Sequence, residues 1–405
     1  MSPQARSATR PRRGSRREQL AQIAAELFAR QGYHNVSVND IAATAGLSGP
    51  AIYRHFPSKQ AMLDHILQTG MEQILRIAEI RLGPDIPGAP AERLCGAFEA
   101  LAAHMISHPE VGALWRRERR HLPAPRRSGT ARLMAQIADL VVSELHRLLT
   151  ELATADAEVR AWAGASVLGS ISDHRVRLPQ GVLQQLLVTI AMDVLTAEPG
   201  EAVGSVRQEP HRETGLLDTR REQLLVVSAQ LFREHGYHAV TMEDIGAATG
   251  IAGPSIYSHF SGKSELLQSI AERIRERLRQ TTAQARAADQ APRQTLDLLV
   301  GDYVDTVVEY HDFVAAYFSE GNNLPHREAA ELLRFQRAYT KHWTELLTTV
   351  RPELPEKQAR IHVHAAFTVV NDIALNRRFA SRPEQPATLR TLMSAALGTA
   401  PLPVG

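Results

Sequence analysis

Apolar residues recur along this chain at helical spacing. Leu20, Ile23, Ala24, Leu27 and Phe28 stand at i, i+3, i+4, i+7 and i+8, one face of a helix. Gly32 follows as a stop, where a left-handed backbone is cheap only without a side chain. Ser37-x-x-Asp40 has the form of a capping box with Asp in place of Glu, and it predicts a short second helix with Ile41 and Ala45 turned inward. Gly46 breaks that helix. Ser48 is placed to cap a third helix running to His55 or Phe56, with Ile52 and Phe56 on its buried side, and a fourth helix starts near Ser58. Two helices, a short turn containing Gly and a further helix make the helix-turn-helix pattern. Farther along, Leu133, Ile137, Leu140, Val141, Leu145, Leu148 and Leu149 form one long stripe, and Leu332, Leu333, Phe335, Trp343, Leu346 and Leu347 form another. Segments 181–196 and 386–398 are also apolar. Such stripes predict helical core, part of it a helix-bundle interface.

The pattern occurs twice. Residues 16–66 and 220–270 align without a gap at an offset of 204, Gly32 with Gly236 and Lys59 with Lys263, and about half of the aligned positions are identical. Thr241-x-x-Asp244 repeats the capping box and Gly250 the break. A two-copy period of this length is a duplicated unit, since solenoid repeats are far shorter. The expected organisation is all-α, in two tandem units. A basic arm (1–15) precedes a first helix-turn-helix domain (16–66) and a first helical regulatory domain (67–197). A polar linker rich in Gly, Pro and Glu (198–217) leads to a second helix-turn-helix domain (218–270) and a second regulatory domain (271–400).

Composition narrows the class. Of 405 residues, 44% are hydrophobic and 22% charged, the balance of a globular protein, and the 5% aromatic content favours helix over sheet. The single cysteine, Cys95, excludes an internal disulfide framework and fits a reducing cytoplasm. No apolar run reaches the roughly 18 residues of a membrane span. The Arg-rich start lacks the apolar segment of a secretory signal.

The net charge of +2 taken whole argues against a nucleic-acid binder. Divided by segment it argues the opposite. Residues 1–66 hold nine Lys or Arg against four Asp or Glu, whereas residues 212–270 hold five against seven. Most of the asymmetry lies at Arg6, Arg10, Arg12, Arg13, Arg16 and Arg17. Such an arm either reaches phosphates or a neighbouring minor groove, or stays a solvated tail.

A helix that enters a major groove needs small or polar residues at its start and phosphate partners on its flanks. Ser48, Gly49, Pro50 and Ala51 supply the first. Ser37, Tyr53, Arg54, His55 and Lys59 supply the second. The chain holds only four lysines, and two of them, Lys59 and Lys263, share one repeat position. Tyr53 and Tyr257 also fit half-buried core positions.

These residues carry a family resemblance. Segment 37–63 resembles the DNA-binding domain of the TetR/AcrR family of bacterial transcription regulators through Ile41-Ala42, Ala45-Gly46-Leu47-Ser48, Gly49, Ile52-Tyr53, His55-Phe56 and Ser58-Lys59. The second copy is similar through Ile245, Gly250-Ile251, Gly253, Ile256-Tyr257, His259-Phe260 and Lys263. The resemblance implies an all-helical fold whose first three helices bind DNA. It also implies a larger helical part that binds a small molecule and dimerises, in a repressor released by its ligand. It places phosphate contacts at Ser37, Tyr53, His55 and Lys59, and a groove-facing surface at Gly49, Pro50, Ala51 and Arg54. The matching positions of the second copy are Thr241, Gly253, Pro254, Ser255, Tyr257, His259 and Lys263.

The implied partners are double-stranded operator DNA with two half-sites and a small lipophilic effector, with no membrane partner and no cofactor. One chain then folds as a pseudo-dimer with two reading heads. Alternatively, only the first head binds strongly and the chain homodimerises, or the protein is an adaptor that no longer binds DNA. The copies differ at informative positions. Ser48 becomes Ala252, a cap loss expected to cost about 0.5–2 kcal/mol. Arg54 becomes Ser258, and Asn39 becomes Glu243.

Effector residues are the weaker signal. Trp115, Glu118 and His121 precede Leu122-Pro123, and Phe318 and Glu320 precede Leu324-Pro325. They suit an apolar pocket with a few polar anchors, or else surface charge around a core aromatic. His104 and His108 have i,i+4 spacing but no acid or cysteine to complete a metal set, and His362 and His364 point to different helix faces. No Gly-rich phosphate loop, nucleophile elbow or HExxH motif occurs, so neither an enzyme nor a metal site is expected.

Overall fold

A computed structural model describes residues 16–198, 219–251, 253–379, 382 and 384–400. The expected arm, all of the expected linker except Glu198, Ala252 and the last five residues lie outside the described residues. The first unit comprises α1 (Arg16–Gln31), α2 (Val38–Thr44), α3 (Gly49–Ile52), α4 (Lys59–Leu82), α5 (Pro90–Ser107), α6 (Pro109–Arg117), α7 (Ala124–Leu148), α8 (Thr154–Gly169) and α9 (Gln180–Leu195). The second repeats that order as α10 (Arg220–His235), α11 (Met242–Thr249), α12 (Gly253–Ile256), α13 (Lys263–Ala287), α14 (Pro292–Glu309), α15 (His311–Ser319), α16 (His326–Val350), α17 (Glu356–Ala374) and α18 (Gln385–Ala396). No strand occurs among the described residues, and the fold is all-α. No described helix is long and apolar enough to cross a membrane.

The first three helices of each unit form a head and the rest a body. In the first head Leu20, Ala24 and Phe28 of α1 meet Ile41, Ile52 and Phe56 in one small core. Gly32 and Gly236 both adopt the left-handed backbone expected of a helix stop, at φ +87° and +83°. Ser58 accepts a hydrogen bond from the Ala61 amide and starts α4. This helix has no internal break. Met62, Leu63, Ile66 and Leu67 fill the head, and Met71, Ala78 and Leu82 pack in the body. Midway along it, Gly70 faces Val111 of α6, where an added Cβ would lie 2.8 Å from a valine methyl. The missing side chain lets α6 cross α4 closely.

The two bodies share one core. Helix α8 packs on α17, and α9 on α18. Val167, Leu187 and Ala191 belong to the same apolar cluster as Ala366, Val369, Leu392 and Trp343. Polar contacts cross the same junction. Thr368 donates to Asp173 at 3.0 Å, and Arg382 donates to the Ala155 carbonyl at 2.7 Å.

Several local expectations change. The third helix ends at Ile52, where the His55 amide makes an i→i−3 bond to the Ile52 carbonyl at 2.9 Å and tightens the chain into a turn, although the Phe56 amide still reaches the same carbonyl at 3.0 Å. Ser48 stands at the N-cap but its hydroxyl caps nothing. The reason is local. Pro50 has no N–H to offer, and the Ala51 amide is taken by the Ser48 carbonyl at 3.0 Å. Pro254 lacks the same donor in the second copy, and the expected cap loss at Ala252 lies outside the described residues. Ala42 is fully inward beside Ile41, and Ala45 is half-buried against the same core. Leu333 leaves its stripe and is half exposed.

Candidate nucleic-acid interface

The outer face of each head is set by its capping box. Ser37 accepts from the Asp40 amide at 3.1 Å, while the Ser37 amide and hydroxyl both donate to the Asp40 carboxylate, at 2.8 and 2.7 Å. Thr241 and Asp244 repeat the arrangement atom for atom. These hydrogen bonds hold both carboxyls below the usual carboxylate range. The closed box leaves the Ser37 hydroxyl already engaged.

Helix α3 then brings Gly49 against Asn39. A Cβ at residue 49 would sit 2.6 Å from the Asn39 amide oxygen, so glycine permits the two helices to approach. On the outer side Ser48, Pro50, Tyr53 and Arg54 are exposed, and Ala51 and His55 are half-buried. In the second head Ser255, Tyr257 and Ser258 are exposed, His259 is half-buried, and Gly253 and Pro254 open α12. Tyr53 and Tyr257, at 56% and 51% exposure, are not core residues. The Ser258 hydroxyl bonds its own turn, at the Ser255 carbonyl, where the first head projects the Arg54 guanidinium.

The shared lysines have an internal task. Lys59 donates to the carbonyls of Tyr33 and Val36, at 2.8 and 2.9 Å, and its ammonium lies 4.3 Å from the centre of the Tyr33 ring. Lys263 donates to the Tyr237 carbonyl at 2.7 Å and lies over the Tyr237 ring. Burial lowers both ammonium pKa values. Each lysine ties the start of a long helix to the turn that follows the head's first helix. Arg17 and Arg221 lie over Phe56 and Phe260 in the same manner.

The residues considered for effector binding gather elsewhere. Glu118 is buried. It accepts from the Tyr33 amide at 3.3 Å and faces His121 Nε2 at 3.3 Å, which joins the body to the first head. Glu320 is buried against Arg120 of the first unit and accepts from Asn323 at 2.7 Å. Trp115 packs beside both the head core and the α4–α7 contact and carries the Arg119 guanidinium on its face. Phe318 is 42% exposed and outside this group. The structure thus brings Glu118, His121 and Glu320 into one joint between the units and leaves Phe318 apart. Two cavities of about 10 Å³ each, one at Asp156, Phe379 and Gln385 and one at Gln268, Arg275 and Leu332, have room for a water molecule. Neither touches these residues. Sequence reasoning missed His34, His238, Arg120 and Asn323 at the joint. The one available signal was the identical Gly-Tyr-His of residues 32–34 and 236–238.

Comparison with known proteins places the heads. Residues 22–66 and 224–270 both match the bacterial regulatory proteins of the tetR family. Over 90 residues the chain is 34% identical to the HTH-type transcriptional activator FasR of Mycolicibacterium smegmatis, a match taking in 22% of this chain and 41% of that one. Over 87 residues it is 37% identical to the HTH-type transcriptional repressor KstR2 of the same organism, taking in 21% of this chain and 41% of that one. The chain therefore spans less than half the length of these relatives. The solved structure of the ketosteroid transcriptional regulator KstR2 of Mycobacterium tuberculosis is 26% identical, covers 45% of this chain and 95% of its own, and superposes with a TM-score of 0.40.

Proposed function

Because the chain carries two segments of the tetR family of bacterial regulatory proteins in tandem, we propose that it is a sequence-specific DNA-binding regulator of transcription in which one chain offers two heads to two half-sites. The observation that carries this reading is the pairing of two like heads on bodies that share one core through α8, α9, α17 and α18. Both heads keep an exposed tyrosine at the same repeat position and the same closed capping box. Tyr53, Arg54 and His55 in the first head, and Ser255, Tyr257 and His259 in the second, then face DNA, with Gly49, Pro50, Ala51, Gly253 and Pro254 allowing close approach. Ser37 and Thr241 position the preceding helix. Heads on successive major grooves of one face of the duplex stand about 34–36 Å apart.

The reading extends to regulation. We take the protein as a repressor released by a small lipophilic effector held in a body; its relative KstR2 is named a transcriptional repressor. The route from body to head would be α4, continuous through both, and the Glu118 contact to the Tyr33 amide. An effector that shifted α6 would pull on the head at that point.

Selection of bound duplexes from random DNA, followed by native mass measurement of the complex, tests the arrangement. The expected result is one 44.7 kDa chain per duplex with two unequal half-sites. Two chains per duplex would identify a homodimer reading through its first heads. No binding at low salt would identify an adaptor and end the DNA reading.

A further inference from the structure

Three histidines from separate segments meet where the heads and bodies join. His34 follows α1, His238 follows α10, and His121 follows α6. His34 and His238 occupy the same repeat position, and their rings face each other with centroids 4.5 Å apart. His121 stands edge-on to His34 at 4.4 Å, its Nδ1 3.3 Å from His34 Nε2. His121 Nε2 faces the Glu118 carboxylate, and His238 Nε2 lies 2.8 Å from the Asn323 side-chain oxygen. The turns around them interlock across the units. Gly236 of the second head lies against Arg120 and His121 of the first body, and Gly32 of the first head lies against Asn322 of the second.

The hydrogen-bond partners fix where the protons sit. Asn323 donates its amide to Glu320, so its oxygen accepts and His238 Nε2 must donate. The Glu118 carboxylate takes the Nε2 proton of His121, which leaves Nδ1 to accept from His34 Nε2. The four bonded ring nitrogens, Nε2 of His34 and of His238 and both of His121, have compatible partners when the rings are neutral. A second proton on His121 would set two N–H groups against each other. A proton on His34 or His238 would place a cation against the facing ring. Among the described residues no three His, Cys, Asp or Glu side chains converge as metal ligands do, and one nitrogen each of His34 and His238 and both of His121 are engaged within the protein.

We propose that His34, His121 and His238 form a proton-operated latch that fixes the spacing of the two heads: neutral rings close it and protonation opens it. The groups facing His34 divide by sign. His121, His238 and Lys59 disfavour a proton there, and Glu118 favours it. Burial first, then His121, His238 and Lys59, lowers His34 from 6.5 to about 4 in the closed joint. Once the joint opens, the ring regains its ordinary value. The closed state is therefore fully favoured above about pH 6.5 and loses ground as pH falls toward 4. His34 and His238 are both exposed, and that screening moderates the effect. The open-to-closed ratio should rise about fivefold between pH 7.5 and 5.5.

The latch is tested without DNA, so its failure is separate from failure of the two-headed reading on which its role at an operator rests. Spin labels at Glu26→Cys and Gln230→Cys, equivalent exposed positions on α1 and α10, are placed in full-length Cys95→Ser protein. Pulsed electron–electron dipolar distances are measured at pH 7.5 and 5.5, with circular dichroism showing the helices intact. The expected result is a narrow main separation at pH 7.5 with a displaced, broader minor population whose ratio to the main one rises about fivefold at pH 5.5. His34→Gln and, separately, His238→Gln should each remove most of that response. Identical distance distributions at both pH values, or a response unchanged in both variants, would overturn the latch.

Discussion

Phe28 and Phe232 occupy the same repeat position and are both fully buried, yet they belong to different cores. Phe28 sits in a cluster that holds the first head, Met62, Leu63, Ile66 and Leu67 from the start of α4, and Leu114 and Leu122, with Trp115 at its edge. Phe232, with Leu224, Ile245 and Phe260, runs into the large core that spans both bodies. The difference arises beneath the heads. Helix α10 rests on α15, where Phe313, Val314 and Tyr317 are buried and Arg233 pairs with Asp312. Helix α1 rests on α6 partly through polar contacts, such as Gln22 to Glu110 at 3.1 Å. One sequence pattern thus yields a semi-independent lobe in one unit and an integrated one in the other. Segments with fewer shared apolar contacts open at lower free energy, which makes the first head the more readily moved.

The largest test of this contrast removes the two rings. Phe28→Ala and Phe232→Ala should each cost about 3–5 kcal/mol. Hydrogen exchange should show Phe28→Ala loosening residues 16–66 alone, while Phe232→Ala lowers the main thermal transition. Equal global loss in both would erase the distinction. Next, Tyr53→Phe and Tyr257→Phe remove exposed hydroxyls that hold no part of the fold. If both heads read DNA, each should weaken binding to a selected operator by about tenfold, the worth of one hydrogen bond to a charged group. A loss from Tyr53→Phe alone would make the second head a passive partner. These variants serve better than Lys59→Ala and Lys263→Ala, whose loss would also untie the turns after α1 and α10.

Smaller effects follow. Ser37→Ala and Thr241→Ala should each lower the local stability of α2 or α11 by about 1 kcal/mol, seen as faster amide exchange there. Exchanging Arg54 and Ser258 between the heads should leave the salt slope of operator binding the same, whereas Arg54→Ser alone should lower it by about one. The least effect concerns acid. Asp40 and Asp244 are held low chiefly by hydrogen bonds from Ser37 and Thr241, so their support is complete above the ordinary carboxylate value and is lost as pH falls below about 4. Both α2 and α11 should fray together in that window, read as chemical-shift changes in the two heads. Fraying of one alone would show that the boxes are not equivalent.

The helices, their stops and the two capping boxes were legible because each is written within a few residues: the apolar stripe of α1, the glycines at 32 and 236, and Ser37 with Asp40. The exposed face of each head followed from the same local pattern. What escaped was set by contacts between distant segments. Lys59 reads as a surface cation until its reach to the Tyr33 and Val36 carbonyls is seen. Glu118 reads as a pocket anchor until the Tyr33 amide, 85 residues away, is found on it. The third helix looked longer because Phe56 keeps helical spacing to Ile52 while the backbone between them has already turned. The joint of His34, His121 and His238 has no periodic signature, since it forms only when two units fold onto one another.

The shared core of α8, α9, α17 and α18 bears on cellular dosage. Two separate chains must find each other, so at low copy number their active form grows with the square of their concentration. Two halves on one chain meet at an effective concentration that dilution does not change. With the two-headed arrangement, occupancy of a target would then rise in direct proportion to the number of chains and remain graded when only a few are present.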